Sequence, residues 1–267
     1  MTIEIRLIHS LSEYAACMQL QETVWGGFNT VADHMLLTIQ RNGGVVLGAF
    51  DLAQSSGPLV GFVFGFLGRG SDGRLKHASH MAAVLPAYRD SGLGARLKWA
   101  QREHVLAQGL DLITWTFDPL LSRNANLNLA HLGAISRTYI RNIYGPEPEE
   151  PHGELPTDRF LVEWWLHDER VVARSNGTAP KLSAAELQAQ GPLLNPDPHA
   201  APAAPHGDAF LVQIPSDFAA LKEQNMASAR AWRYQVRALA EAAFAQGYQL
   251  TGFARAAAVG LLLFRKG

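Results

Sequence analysis

The sequence contains a single cysteine, Cys17, among its 267 residues. One cysteine excludes an intrachain disulfide and a cysteine-based metal cluster. No basic group near Cys17 in the sequence would lower the pKa of its thiol, so we interpret it as a small core residue rather than a nucleophile. The lack of disulfides favours a cytoplasmic protein.

Long apolar runs and an excess of one charge are also missing. No run approaches the length of a membrane span, and residues 1–4 do not begin a signal peptide, so we expect no membrane partner. The formal net charge is −1, which provides no electrostatic footprint for nucleic acid. Hydrophobic residues make up 48% of the chain and charged residues 18%, as in ordinary globular proteins.

The most informative stretch of the sequence is Leu85–Gln108. It tightens through Gly92 and Gly94, and then apolar residues recur with a period of 3.6, which predicts an amphipathic helix beginning near Ser91. A strand is predicted just upstream, over residues 76–84. A strand, a glycine turn and a helix in this order present free backbone N–H groups to an anion. Glycine also lets a phosphate approach backbone that a Cβ would shield.

Hydrophobic periodicity predicts alternating strands and helices on both sides of this turn. Predicted strands cover residues 3–8, 45–50, 59–67, 110–117, 134–140, 160–166, 209–214, 248–253 and 259–264. Predicted helices follow caps at Ser10 or Ser12 and at Ser216 or Asp217, and cover residues 32–40, 124–132, 183–190 and 226–246. Apart from the predicted helix 183–190, residues 168–207 contain many prolines and show no hydrophobic period, which indicates a linker or a surface strap.

The pattern Arg89-x-x-Gly92-x-Gly94 follows the fourth predicted strand and is preceded by Val84-x-Pro86. It resembles the phosphate turn of the GNAT superfamily of CoA-dependent N-acyltransferases, over about residues 3–167. Further stretches are similar to a bacterial branch of that superfamily with a C-terminal extension: Ser79–Met81, Trp115–Pro119, Ser122–Ala125 and Leu155–Arg159.

The resemblance implies a mixed α/β sheet in a GNAT-like acyltransferase fold, with an additional C-terminal strand–helix–hairpin unit. We predict a CoA-binding catalytic domain over residues 1–168, a Pro/Ala-rich linker or strap over 169–207, and an α/β extension over 208–267. The extension resembles half a GNAT unit but lacks the glycine turn, so no second CoA site is expected. We expect it to cover part of the acceptor cleft or to form a subunit contact, which is compatible with a homodimer.

The resemblance also implies the co-substrate: acetyl-CoA or another acyl-CoA, such as succinyl-CoA, with no metal. Backbone amides of the turn and of the helix start would hold the pyrophosphate, namely those of Arg89, Asp90, Ser91, Gly92, Leu93, Gly94 and Ala95. The backbone of Ala83 and Val84 would pair with the pantetheine arm like an added strand. Asn124 either contacts CoA or caps the short helix that follows the fifth strand.

In this fold the thioester and the amine would meet where the fourth and fifth strands separate, between His80–Val84 and Trp115–Asp118. Many relatives place a glutamate base on the fourth strand, and this chain has none between Lys76 and Val84. His80 lies near that position and has a suitable ordinary pKa; alternatively, core hydrogen bonds satisfy its ring. Strand alternation puts His77 and His80 on opposite faces unless a bulge intervenes, which disfavours a metal pair.

Two further candidates for the chemistry are Asp118 and Tyr139. Asp118 ends the fifth strand and is a base, a partner for the acceptor's ammonium group, or part of an Asp-Pro turn. Relatives commonly carry a tyrosine four residues before the glycine that ends the short helix, where it serves as general acid toward the CoA thiolate. In this chain that position is Leu129. Tyr139 and Tyr144 are possible replacements, with packing as the alternative role.

Arg159 is the predicted contact for a carboxylate on the acceptor, because a guanidinium binds a carboxylate bidentately. The alternative is a structural pair with Asp158. Together with Trp115 and Asp118, Arg159 forms the predicted acceptor site. Two functions remain open: an N-acyltransferase acting on a small-molecule amine, possibly an amino acid, by direct attack in a ternary complex, or a non-catalytic acyl-CoA-binding protein.

Overall fold

The computed structural model describes residues 2–27, 30–145 and 155–267. The chain forms two compact units. Unit 1 contains Met1–Trp115 and Trp165–His167, and unit 2 contains Thr116–Trp164 and Asp168–Gly267. Among the residues described, no helix combines the length and the apolarity that a membrane crossing needs.

Unit 1 is built on an extended sheet. Its strands, in their order across the sheet, are β1 (Ile3–Leu7), β2 (Val45–Asp51), β3 (Leu59–Arg69), β4 (Leu75–Val84) and β5 (Leu112–Phe117). Neighbours from β1 to β4 are antiparallel, whereas β5 is parallel to β4. The last two residues of β5 belong to unit 2.

Helices cover both faces of this sheet. They are α1 (Leu11–Trp25), α2 (Asp33–Arg41) and α3 (Leu93–Ala107). Phe62 of β3 belongs to a buried cluster with Cys17 of α1 and Leu36 of α2. Gly61 points to the opposite face because side chains alternate along a strand, and a Cβ built there would lie 3.2 Å from Leu97 of α3.

Local sequence features account for the helix starts. Ser10 caps α1 in a capping box. Its side chain accepts from the Glu13 N–H, and the Glu13 carboxylate accepts from the Ser10 N–H. The predicted cap is therefore confirmed. Cys17 is fully buried in the core, and burial raises the pKa of its thiol to about 12, which confirms its interpretation as a core residue.

The parallel pairing between β4 and β5 is short. His77 lies opposite Ile113 and Ala78 lies opposite Thr114, and no later pair joins the two strands among the described residues. The expected separation of the fourth and fifth strands is therefore confirmed. Beyond Ala78, the edge of β4 that faces away from β3 is not used by β5.

Unit 2 contains a second run of antiparallel strands. In chain order they are β6 (Ile135–Ile140), β7 (Arg159–Trp165), β8 (Ala209–Pro215), β9 (Tyr248–Arg255) and β10 (Val259–Lys266). Their spatial order is β7, β6, β9, β10, β8. The helices are α4 (Ser122–Ala125), α5 (Glu169–Ser175), α6 (Ala184–Gln188), α7 (Phe218–Gln224) and α8 (Met226–Ala245), and a short π-helix follows α4 at Asn126–His131.

The mixed α/β class and the additional C-terminal strands, helices and hairpin agree with the sequence-based expectation. One helix was not expected. The segment predicted as a linker or strap begins with α5, where the Asp168 side chain caps the helix by accepting from the Arg170 N–H. This helix has only seven residues, too few to show a clear hydrophobic period.

Candidate active site

The turn after β4 places left-handed residues immediately before a helix. Asp90 has a φ of 59° and Gly92 a φ of 80°, and α3 begins at Leu93. No side chain of the described residues caps this helix start. The first N–H groups of α3 lack intrahelical partners, and the helix dipole adds positive potential at the same place. This geometry suits an anion such as a phosphate group.

Gly92 is required by the shape of this turn. Its φ of 80° lies in the left-handed region, which residues with a Cβ adopt only under strain. A Cβ built at this position would have no atom within 4 Å, so the turn faces open space on that side. Larger side chains at this position would project into the space in front of the helix start.

Hydrogen bonds hold the turn against the end of β2. The Tyr88 hydroxyl donates to Asp51 Oδ2 at 2.8 Å, and Gln54 Nε2 donates to the Tyr88 oxygen at 2.7 Å. The bond between Tyr88 and Asp51 lowers the pKa of the carboxyl and raises the pKa of the phenol. Ser91 Oγ donates to the Tyr88 carbonyl at 2.7 Å. The turn is therefore held in place by the protein itself.

The backbone before the turn has one edge directed away from β3. The Leu85 N–H donates to the Val60 carbonyl at 2.9 Å. Because backbone groups alternate in an antiparallel ladder, Ala83 also bonds to β3 and Val84 points the other way. Arg89 Nε donates to the Val84 carbonyl at 3.3 Å. Of the two residues predicted to pair with a pantetheine arm, only Val84 directs its backbone groups to that edge.

Strand β4 carries a β-bulge at His80. Phe64 of β3 pairs with Met81 and Gly65 pairs with Ser79, which leaves His80 as the extra residue. The regular alternation of side chains along β4 is therefore interrupted at His80. Beyond the bulge, Met81 packs against the same core cluster as Phe64, so it does not share a face with Ser79.

The His80 side chain sits beside aromatic rings. Its ring centroid lies 5.3 Å from that of Phe64 and 6.3 Å from that of Phe66. The residue as a whole is exposed, but the flanking rings displace water, and this desolvation lowers the pKa of the imidazole. At neutral pH the ring is therefore neutral and able to accept a proton.

A buried polar network lies between β4 and α3. Lys98 Nζ donates to Ser79 Oγ at 2.9 Å and to Gln101 Oε1 at 2.7 Å, and it stands 3.8 Å from the ring centroid of Trp115. Lys98 is only 3% exposed. Burial lowers the pKa of its amine well below the ordinary value, because a charge inside the protein loses its hydration.

His77 extends this network. Gln101 Nε2 lies 3.1 Å from His77 Nε2, while the buried Nδ1 of His77 has no hydrogen-bond partner. Burial, with a smaller contribution from Lys98, lowers the pKa of His77 to about 3. Among the described residues, no group of His, Cys, Asp and Glu side chains could hold a metal ion. The network was not predicted, although Lys98 and Gln101 are polar residues one helical turn apart on α3.

In unit 2, Asp118 is engaged on both carboxylate oxygens. Its Oδ1 accepts from the Leu120 N–H at 2.9 Å, as expected for the Asp-Pro turn. Its Oδ2 accepts from Arg233 Nη2 at 2.7 Å and lies 3.7 Å from Arg159 Nη1. Arg233 was not predicted as a site residue. It lies 115 residues from Asp118 in the chain, so sequence spacing carries no indication of the contact.

Asp158 forms a second and fully satisfied centre in unit 2. Arg237 donates to both of its oxygens, at 2.7 and 2.8 Å, Tyr139 donates its hydroxyl at 2.8 Å, and the Asn142 N–H donates at 3.0 Å. Burial alone would raise the pKa of Asp158, but these hydrogen bonds outweigh it and lower that pKa. Burial raises the pKa of Tyr139.

The structure bears on the alternative, structural roles that were considered for Arg159 and Asn124. Arg159 does not pair with the Asp158 carboxylate; it donates to the Asp158 carbonyl at 2.8 Å. Asn124 lies inside α4, whose N-cap is Leu121, so the alternative that Asn124 caps this helix is wrong. Its contact with CoA stays a prediction.

Comparisons with known proteins bear on the fold. No protein-family model matches the chain, and no curated protein matches it either. A chain of the NatC complex, solved with a Gag peptide and CoA, has a TM-score of 0.51 and 16% identity and covers 62% of this chain and 99% of its own. The putative acetyltransferase yncA from Salmonella typhimurium, solved with acetyl-CoA, has a TM-score of 0.50 and 17% identity and covers 62% and 95%. A GNAT-family acetyltransferase from Streptococcus pneumoniae reaches 0.49, at 16% identity and 61% and 98% coverage.

The first two structures define the class of fold. Over roughly three-fifths of its length, the chain has the fold of a GNAT acetyltransferase, with further strands, β9 and β10, at its C-terminal end. The predicted resemblance to the GNAT superfamily is confirmed at the level of the fold.

Proposed function

We propose that this protein is a CoA-dependent N-acyltransferase that moves an acyl group from CoA to the amine of a small molecule. The observation that supports it most is the turn after β4. There, a glycine with φ of 80° precedes an uncapped helix and faces open space. Two structural neighbours with this fold were solved with CoA and with acetyl-CoA.

The residues of the turn fit the CoA pyrophosphate. The amides of Leu93, Gly94 and Ala95 are the first N–H groups of α3 and have no intrahelical acceptor. A pyrophosphate in front of them would also meet the positive end of the helix dipole. Val84 would offer its backbone N–H to the pantetheine arm along the edge of β4 that faces away from β3. Bound acyl-CoA supplies an activated thioester.

His80 is the proposed proton acceptor for the attacking amine. Acyl transfer requires the amine to lose a proton, and the β4 segment 76–84 contains no carboxylate. The aromatic rings beside His80 lower its pKa, so it is present as the neutral base at neutral pH. The bulge at His80 sets the direction of this side chain.

The contacts of Tyr139 argue against its acting as the proton donor to the departing thiolate. The Tyr139 hydroxyl donates to Asp158, and its pKa is raised by burial. Acting as an acid would break a hydrogen bond to a buried carboxylate. A thiolate is a stable leaving group, so the reaction as proposed proceeds without Tyr139 as a proton donor.

Release of free thiol tests this proposal. The protein is incubated with acetyl-CoA or succinyl-CoA and with pooled small amines, and the thiol is followed over time. We expect turnover that depends on both substrates. His80→Gln should lower the rate and remove a pH-dependent step, whereas His34→Gln, a change at an exposed histidine of α2, should leave the rate and its pH profile unchanged.

A second candidate function is that of a non-catalytic acyl-CoA-binding protein. The engagement of Tyr139 with Asp158 favours it, as does the lack of a carboxylate on β4. CoA binding without turnover of any amine pool would support this alternative and contradict the enzyme.

A further inference from the structure

Unit 2 buries an arginine whose donors are not all used. Arg233 is 2% exposed, and only its Nη2 has a hydrogen-bond partner, Asp118. Its Nε and Nη1 are buried without any partner. In the described part of unit 2, these are the buried side-chain polar atoms that lack a partner. Buried donors are nearly always satisfied in proteins, so such a pair calls for an explanation.

The charges around Arg233 do not balance. Arg237 and Asp158 neutralise each other through a bidentate contact. Asp118 remains as the carboxylate shared by Arg233, at 2.7 Å, and Arg159, at 3.7 Å. Among the residues that the structure describes, two guanidinium groups thus face one carboxylate, which leaves an excess of one positive charge in a partly buried place.

Arg159 lies on the accessible side of this group. Its side chain is 21% exposed and that of Asp118 is 17% exposed, compared with 3% for Arg233. Aromatic rings flank both arginines: Tyr144 lies 5.3 Å from the guanidinium carbon of Arg159, and Phe218 lies 5.3 Å from that of Arg233. Arg159 is therefore the arginine of this pair that a ligand from solution would contact first, beside the Tyr144 ring.

We propose that Arg159 and Arg233 form a carboxylate-binding site, and that it holds the carboxylate of an amino-acid-like acceptor. A carboxylate brings one negative charge, which matches the excess, and accepts two hydrogen bonds from guanidinium donors. A phosphate dianion would overcompensate the charge and meet repulsion from Asp118. The inference about the acceptor rests on the proposed acyltransferase function.

The site gives the C-terminal segment a role. Arg233 belongs to α8, beyond the segment between residues 168 and 207. Asp118 accepts from Arg233 and positions it, while Arg159 begins β7. Specificity for a carboxylate would then come in part from Arg233, which the C-terminal extension supplies.

Binding measured without CoA tests the site itself. The probes are glycine, L-alanine and L-glutamate, with glycinamide and L-alaninamide as neutral counterparts, titrated by calorimetry into the full chain. We expect saturable binding of the acids and none of the amides. Arg233→Met should weaken binding about tenfold to a hundredfold, as for loss of charge-assisted hydrogen bonds. Arg230→Met, at an exposed position of the same helix, should not weaken it.

A second variant covers the case in which Arg233→Met does not fold. Arg159→Gln changes the more exposed partner, and we expect it to weaken binding of the acids while the circular dichroism spectrum stays that of the wild type. Equal binding of acids and amides, binding of inorganic phosphate in preference to the acids, or no binding of any probe would each overturn the carboxylate site.

Kinetics separate this inference from the acyltransferase proposal. In Arg159→Gln, the KM for a carboxylate-bearing amine should rise about tenfold or more, while the KM for acyl-CoA stays unchanged. Carboxylate binding without any acyl transfer would overturn the proposed reaction but not the site. Turnover of amines with no preference for a carboxylate would overturn the role of the site and leave the reaction standing.

Discussion

The two units bury polar groups in opposite ways. In unit 1, Lys98 donates to Gln101, whose amide contacts His77, and burial lowers the pKa of both the lysine and the histidine. In unit 2, the buried Arg233 pairs with Asp118, and the half-buried Arg237 pairs with the buried Asp158. Burial shifts the lysine and the histidine of unit 1 towards their neutral forms, whereas the two arginines of unit 2 keep their charge and pair it with carboxylates.

The difference follows from the side chains involved. Lysine and histidine lose their proton readily when burial disfavours the charged form. Arginine stays protonated at any physiological pH, so it must find anions. In the described part of unit 2, Arg159, Arg233 and Arg237 exceed the carboxylates of Asp118 and Asp158 by one charge.

The largest effect is expected from breaking the closed pair of unit 2. Asp158→Asn removes the charge that two donors of Arg237 contact and should lower the free energy of unfolding by about 3–5 kcal/mol. Denaturant unfolding measures it. Glu241→Gln, at the more exposed pair with Arg141, is the control and should cost far less. Similar losses in the two variants would contradict the idea that pairing stabilises this buried charge.

The next effect concerns the pH dependence of unit 1. The folded-state pKa of Lys98 is lowered, so below pH 10.5 the unfolded chain binds a proton that the folded chain resists. The contribution of Lys98 to stability should therefore rise with pH up to about 10.5, by about 1.4 kcal/mol per pH unit where only the unfolded lysine is protonated.

Lys98→Met removes this slope and should stabilise the protein relative to wild type most at the lower pH values. Lys181→Met, at an exposed lysine, should keep the wild-type slope. A wild-type slope in Lys98→Met would show that the buried lysine keeps its proton in the folded state.

A smaller effect is expected on the acid side. The pKa of His77 is lowered to about 3 from an ordinary value of 6.5, so the unfolded state gains a proton first as the pH falls. This loss of stability runs from about pH 6.5 towards pH 3 and amounts to about 2 kcal/mol by pH 5. His77→Gln should flatten the curve in that window, as measured by denaturant unfolding at each pH. An unchanged acid slope would remove His77 from the explanation.

Much of the fold could be predicted because its determinants are local. The capping box at Ser10 and the glycine turn before α3 are each written in a few consecutive residues, and the strands show clear hydrophobic patterns. The short helix α5 escaped prediction because it is too brief for periodicity to distinguish it from a loop.

The parts of the candidate site that depend on local sequence could likewise be predicted, and the parts that depend on distant contacts could not. The anion-binding turn was predictable from Gly92 and its neighbours. The bulge that sets the direction of His80 depends on how β4 aligns with β3, and the contact between Asp118 and Arg233 joins residues far apart in the chain. Such pairings are decided by tertiary packing, so no spacing in the sequence could reveal them.

The central claim is that the turn after β4 binds the pyrophosphate of CoA, and a CoA titration by calorimetry tests it most directly. Gly92→Glu puts a negative side chain into the open space before α3, and Gly109→Glu is a matched control because Gly109 has a φ of 75° and equally open surroundings at the other end of this helix. We predict that CoA binding is lost in Gly92→Glu and retained in wild type and Gly109→Glu. Wild-type affinity in folded Gly92→Glu would contradict the account.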